Sequence, residues 1–243
     1  LYPIGFNLEG YKAVFRNARI WTGYQNSVLY TVGGTLLNVV LTVMAAYPLS
    51  RKDFTPRRAV MLIFTFTMFF SGGMIPSYIL VSKLGMMNTR WAILLPTALS
   101  VYNMILVRTY FATNFPNELL EAAQLDGCTD LYYLLRIVLP LSKPIIAVIA
   151  LYYVVGHWNE YFNAFMYLSD PALQPLQIVL RSILIQNSVD SLTIDLSNMV
   201  EREAVKNLLK YALIVVASVP VLMIYPFVQK FFVKGVMIGS VKG

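Results

Sequence analysis

The stretch FPNELLEAAQLDGCTDLYYLLRIVLPLSKP, Phe115 to Pro144, decides how the chain is read. It is the most polar run between two long apolar segments, yet its pattern is not that of a loose linker. Pro116 suits a first helical turn, and Glu118 and Glu121 place negative charge near that helix's positive end. Leu119, Leu120, Ala122 and Ala123 supply one apolar, low-profile side. Gly127 provides a position where the backbone can turn freely. A second helical run follows through Leu131, Leu134 and Leu135, closed by Leu139-Pro140 and Pro144. The pattern predicts a short helix, a glycine hinge and a second short helix at a membrane surface, a shape that a soluble partner can grip.

Composition sets the rest in a bilayer. Of 243 residues 58% are apolar and 13% charged, with mean hydropathy +0.63, which points to an all-α polytopic membrane protein. The net charge of +7 is spread over span ends and loops, without the dense basic stripe of a nucleic-acid binder. A single cysteine, Cys128, rules out an intrachain disulfide and a CxxC metal or redox site. A lone histidine, His157, cannot complete a zinc triad. The start, Leu1-Tyr2-Pro3, lacks the basic and apolar regions of a signal peptide.

Outward from the central stretch, five spans are predicted, at 24–50, 59–82, 91–112, 144–168 and 208–232, each near the ~20 residues a bilayer requires. Residues 1–23 form a partly amphipathic external lead, with Tyr11, Phe15 and Trp21 suited to an interface. The short loop Arg51-Lys52-Asp53-Phe54-Thr55-Pro56-Arg57-Arg58 is cytoplasmic by the positive-inside rule. Segment 113–143 is then cytoplasmic, 169–207 external and the tail 233–243 cytoplasmic. Gly72-Gly73 and Pro76 break the second span near its outer end. In 169–207, Ile178, Val179, Ile183 and Leu184 suggest a helix lying on the outer surface.

The spans offer several polar candidates. Asn26, Ser27, Thr31, Gly33, Gly34, Thr35 and Asn38 give the first span a small, polar side that either packs closely against other helices or lines a translocation path. Glu160, inside a span, is a functional candidate by default: a gate, a packing partner or a sugar ligand. Asn159 is a polar path candidate beside it; Tyr152, Tyr153, Trp158, Tyr161, Phe162 and Phe165 surround it, and such aromatics serve either sugar stacking or an interfacial belt. Tyr102 and Asn103 are further path candidates. No Gly-Lys-Ser or Gly-Lys-Thr occurs, so a phosphate-cradling loop is absent and any ATP-derived energy must come from another chain. An ion-coupled secondary transporter using Glu160 as proton carrier is the alternative, though it should show internal repeats.

Glu121-Ala122-Ala123, Gly127, Ile137, Leu139 and Pro140 also match, in type and spacing, the EAA loop of ABC-importer permeases. The chain resembles the carbohydrate-uptake permeases related to the maltose permease over nearly its whole length, including Tyr24–Ser50, Arg108–Gly127, Trp158-Asn159-Glu160 and the tail from Phe232. The resemblance implies that Glu118, Glu121, Ala122, Ala123, Asp126, Gly127, Ile137, Leu139 and Pro140 couple to an ATPase, with Ala122 and Ala123 allowing close approach in its cleft. It implies a second homologous permease, two ABC ATPase subunits that bind ATP and magnesium, an extracytoplasmic solute-binding protein and a carbohydrate substrate. No cofactor on this chain, a place in the bacterial inner membrane, and a sixth span before Leu1 are also implied. Phe69-Phe70-Ser71-Gly72-Gly73-Met74-Ile75-Pro76 resembles the branch that handles aldouronates or pectin-derived oligosaccharides.

Overall fold

The longest element shows how the sequence builds the bundle. In α2 (Ala18–Ser50), Asn17 starts the helix, its side chain accepting from the Arg19 amide at 3.0 Å, a standard N-cap. It ends where the charged turn at Arg51 begins. Its 33 residues amount to ~50 Å of helix, against ~30 Å of hydrocarbon. The computed structural model describes residues 9–189, 208, 210–223 and 226. The first eight residues of the expected lead, residues 190–207 of the expected external segment 169–207, the end of the fifth predicted span and the expected tail 233–243 lie outside these residues.

Among the described residues every regular element is helical, as an all-α fold requires. A short α1 (Glu9–Arg16) precedes α2, which starts at Ala18 rather than Tyr24 and so takes in the end of the predicted lead. The segment predicted as one span at 59–82 is two helices, α3 (Arg57–Phe69) and α4 (Met74–Lys83), bent by 113°. Gly73, at φ +84°, makes the elbow possible because a Cβ is disfavoured there. The predicted span 91–112 is also divided. A turn of helix, α5 (Trp91–Leu94), gives way around Pro96, and α6 (Val101–Asn114) resumes after Ser100 caps it by accepting from the Asn103 amide.

The central stretch forms α7 (Asn117–Leu125) and α8 (Asp130–Leu141), the latter containing a π-turn at Leu134–Val138. An 81° bend leads into α9 (Lys143–Trp158). The segment predicted to span at 144–168 breaks at Asn159, and α10 (Phe162–Tyr167) follows. After a 3₁₀ turn at Pro171–Leu173 come α11 (Leu176–Val189) and α12 (Lys210–Met223). Of the described helices only α2 is individually long and apolar enough to cross a membrane; the α3–α4 and α8–α9 pairs meet that test jointly.

α6 and α9 both pack along α2. One core joins Val43, Ala46 and Leu49 of α2 to Met104, Val107 and Phe111 of α6, and continues through Ala123 and Val138 to Ile149 and Tyr153 of α9. The Tyr153 hydroxyl ties this core together, lying 2.7 Å from Thr42 Oγ1 and accepting from the Ser100 amide at 3.2 Å.

The small, polar side of α2 proves to be a packing seam. Asn26 Nδ2 donates to the carbonyls of Ala172 and Gln174, at 2.8 and 3.1 Å, and Tyr30 donates to Leu173 O at 2.7 Å. Ser27 Oγ accepts from the Leu176 amide at 2.9 Å, satisfying a free donor at the start of α11. These side chains serve backbone groups that an irregular segment cannot pair internally. Gly34 lies against the His157 imidazole, with Cε1 and Cδ2 only 2.6 and 2.8 Å from where a Cβ would stand. α11 buries Leu176, Val179 and Leu180 in a second core with Trp158, Leu213 and Val216.

Candidate functional site

The α7–α8 element combines an anchored inner side with an open outer one. Pro116, extended at φ −66° and ψ 155°, stands just before the helix rather than in its first turn. At the other end, the Gly127 amide donates to Gln124 O at 3.0 Å and the Cys128 amide to Ala123 O at 2.9 Å. With Gly127 at φ +76°, this is a Schellman termination, and it reverses the chain into α8. Thr129 then accepts from the Tyr132 amide at 3.4 Å to start the second helix.

The predicted apolar side of α7 is split. Ala123 is buried, at 9% exposure, in the protein's own core, and Leu120 packs against the same cluster. Ala123 thus faces the protein's own core, whereas Ala122 is exposed. Glu118, Glu121, Asp126 and Gly127 are exposed with it, and Pro140 is exposed further along. Ile137 and Leu139 are half-buried against the core. Sequence reading missed Leu125, which is 90% exposed at the tip, and gave no outward role to Leu131, Tyr132 and Leu135, all largely exposed. The open surface thus mixes acidic groups with large apolar side chains.

One cation ties this element to α2. Arg51 makes a two-pronged pair with Asp53, at 2.9 and 2.5 Å, and reaches Asp130 at the start of α8 at 2.5 Å. The same guanidinium donates to the Tyr47 hydroxyl at 3.0 Å. The Asp53 carboxyl is held below the usual carboxylate range, chiefly by its hydrogen bonds from Arg51. Arg108 of α6 adds a bond from Nε to Leu49 O at 3.2 Å. Seventy-nine residues separate Arg51 from Asp130, so no local pattern announced the latch.

Three of the path candidates, Trp158, Asn159 and Tyr161, line one cleft, and the others are not among its lining residues. Asn38 is buried and donates to Thr97 O at 2.9 Å, and Asn103 is buried in α6. Trp158 is buried with Nε1 on Ala217 O at 3.0 Å. Tyr102, Tyr152 and Asn159 are exposed, while Asn159 donates to Val155 O within its own helix. Glu160 sits at the break before α10, where its two carboxylate oxygens accept from the Asn163 amide and side chain, each at 3.0 Å. The two bonds tie the break to the first turn of α10. Tyr161 stacks on Phe165, with ring centroids 5.8 Å apart. Among the described residues no group of His, Cys, Asp and Glu could hold a metal ion.

A helical bundle built around a long polar-seamed helix, with a glycine-hinged acidic element latched to its end, is the fold of an ABC-importer permease. The chain belongs to the family of binding-protein-dependent transport system inner membrane components, whose model matches residues 38–238. It is 44% identical, over 244 aligned positions covering all of this chain and 84% of the relative, to the polygalacturonan/rhamnogalacturonan transport system permease protein YtcP of Bacillus subtilis (strain 168). Protein LplC of the same organism is 42% identical, covering all of this chain and 81% of that protein. Among solved structures, a bacterial ABC transporter involved in the import of the acidic polysaccharide alginate superposes with a TM-score of 0.85. It is 33% identical, and the match covers 96% of this chain and 82% of that one. Family membership sets aside the ion-coupled alternative.

Proposed function

We propose that the chain is one of two similar permease subunits of an ATP-driven importer that moves acidic oligosaccharides across the bacterial plasma membrane by alternating access. The observation that carries this reading is full-length similarity to a permease named for polygalacturonan and rhamnogalacturonan. Similarity to an alginate importer agrees with it, because alginate and polygalacturonan are both chains of uronic acids. An extracytoplasmic binding protein delivers the sugar. ATP and magnesium are bound and hydrolysed by two separate ATPase subunits, since this chain has no phosphate-cradling loop.

The α7–α8 element is the docking knuckle for one ATPase. Leu125 and Leu131 present apolar anchors, and Glu118, Glu121 and Asp126 present charge to a basic partner rim. Anchors of this kind carry most of an interface's energy, while rim charges mainly set specificity. Ala123 and the Arg51 latch then pass ATPase closure into α2 and α6. The exposed apolar surfaces of α2 and α3, including Val32, Leu36, Leu62 and Phe66, suit the bilayer and the second permease.

The test is reconstitution with the ATPases and binding protein, scored as ATP hydrolysis stimulated by an oligogalacturonide. Glu121→Lys is expected to lower stimulation severalfold without loss of the folded permease. Unchanged stimulation would remove Glu121 from the docking surface. Absence of any stimulation by acidic oligosaccharides in the unaltered complex, alongside stimulation by neutral ones, would refute the substrate class.

A further inference from the structure

A second site lies far along the chain from the knuckle, where α9 breaks and α11 crosses it. A cleft of about 870 Å³ exists beside the knuckle, but the one at this break, about 810 Å³, has the more specific lining. Trp158, Asn159, Tyr161, Gln177 and Arg181 line one side, and the apolar face of α12 around Leu213 lines the other. The Arg181 guanidinium carbon lies 4.8 Å from the centre of the Tyr161 ring and 5.5 Å from that of Phe165. These two rings are nearly parallel, at 18°. Stacking of this kind fixes the plane of a guanidinium while leaving its edge N–H donors available.

Charge around Arg181 is unbalanced. Among the described residues the only ion pairs are those of Arg51, so no described carboxylate lies within 4.0 Å of Arg181. The Glu160 carboxylate, next in sequence to Tyr161, accepts from Asn163 and makes no ion pair with Arg181. Arg181 is exposed, and the Tyr161 hydroxyl is buried without a hydrogen-bond partner among the described residues. A fixed, solvent-facing guanidinium on aromatic faces, with the Asn159 and Gln177 amides alongside, offers two kinds of contact at once. A planar carboxylate can take the guanidinium fork in two parallel bonds, and the C–H face of a pyranose can lie against the apolar side of the cleft around Leu213.

We infer that this cleft is a subsite for one uronic-acid residue of the transported oligosaccharide, with Arg181 as the group that selects its carboxylate. The inference rests on the acidic-oligosaccharide reading above and names the residue that would enforce it. Arg181 discriminates acid from ester because a methyl-esterified uronate keeps the ring but loses the charge and one acceptor. Tyr161 and Phe165 act as positioning residues, holding the guanidinium plane.

The test is direct binding to the purified full complex without nucleotide, using trigalacturonate and its methyl ester as probes and calorimetry with tryptophan fluorescence as readout. The unaltered complex is expected to bind the acid more tightly than the ester. Arg181→Gln should raise the Kd for the acid roughly tenfold or more while leaving the ester's Kd unchanged. Arg181→Lys should recover part of the loss, because it restores charge without the fork. Equal weakening of both probes would assign Arg181 a structural role and overturn the subsite, as would a variant that still prefers the acid by the original factor. If the unaltered complex is stimulated by oligogalacturonides but shows no acid preference here, the transport reading stands and the subsite falls. If it neither binds nor responds to acidic oligosaccharides, both fall.

Discussion

Removing the Arg51–Asp130 contact should weaken the joint between the knuckle and the bundle by a measurable amount. The guanidinium is well shielded, its side chain 11% exposed, whereas the Asp130 carboxylate is 61% exposed. Two unit charges ~4 Å apart attract by ~4 kcal/mol at an effective dielectric constant of ~20. With one partner largely in water, desolvation and side-chain ordering cut the net value to ~1 kcal/mol. Arg51→Met also removes the Asp53 pair and the bond to Tyr47, so its cost should be larger, ~2 kcal/mol. A double-mutant cycle of Arg51→Met and Asp130→Asn, read from denaturation of the permease in mixed micelles, should give a coupling energy of ~1 kcal/mol. That coupling should shrink in high salt, because one end of the pair is exposed. In the assembled transporter both single variants should lower stimulated ATP hydrolysis relative to basal hydrolysis, since docking is retained but transmission is looser. A coupling energy of zero, or an Asp130→Asn penalty that is the same with and without Arg51, would refute the latch.

Gly34→Ala should destabilise the bundle by ~1–3 kcal/mol through overpacking against the His157 ring. His157→Ala introduced with it should recover part of that cost, as measured by denaturation of the single and double variants. Gly127→Ala places a Cβ on a residue at φ +76° and should cost ~1–2 kcal/mol, with Gly127→Asn milder, both read as changes in the denaturation midpoint. Asp53 sets a pH dependence. Its folded-state pKa is lowered by Arg51, so its contribution is present above the unfolded pKa of ~3.9 and is lost as pH falls through the lower folded value. At 62% side-chain exposure the effect should stay under ~1 kcal/mol, and Asp53→Asn should flatten that part of an acid denaturation profile.

The features readable in the sequence were those whose physics is local. Gly127 followed by a new helical run is a backbone requirement, and its Schellman bonds satisfy it within a few residues. Gly72-Gly73 likewise marked the elbow between α3 and α4. What stayed hidden depended on distant partners. Ala122 and Ala123 are indistinguishable by residue type, and only the tertiary core buries the second while leaving the first exposed. The small, polar side of α2 was visible, but its partners are carbonyls and an amide more than a hundred residues away. Those partners make its Asn26–Tyr30 part a packing seam, and Asn38 is likewise tied to Thr97 O. Pro96 was present to be read, yet an apolar run long enough to span hid the break it imposes.

These contacts set how force can travel. A push on Leu125 at the tip of α7 is carried by Ala123, which is buried in a core shared with α2 and α6. Close-packed interiors have low compressibility and pass strain on rather than absorb it. Arg51 adds a second attachment at the end of α2, so the element is held at two points and cannot simply pivot about Ala123. The far end of α2 holds the 171–176 segment through Asn26, Ser27 and Tyr30. Rotation of α2 therefore drags the start of α11, and with it Arg181. A single rigid helix thus connects the proposed docking knuckle to the proposed uronate subsite, and loosening either attachment should uncouple hydrolysis from transport before it unfolds the bundle.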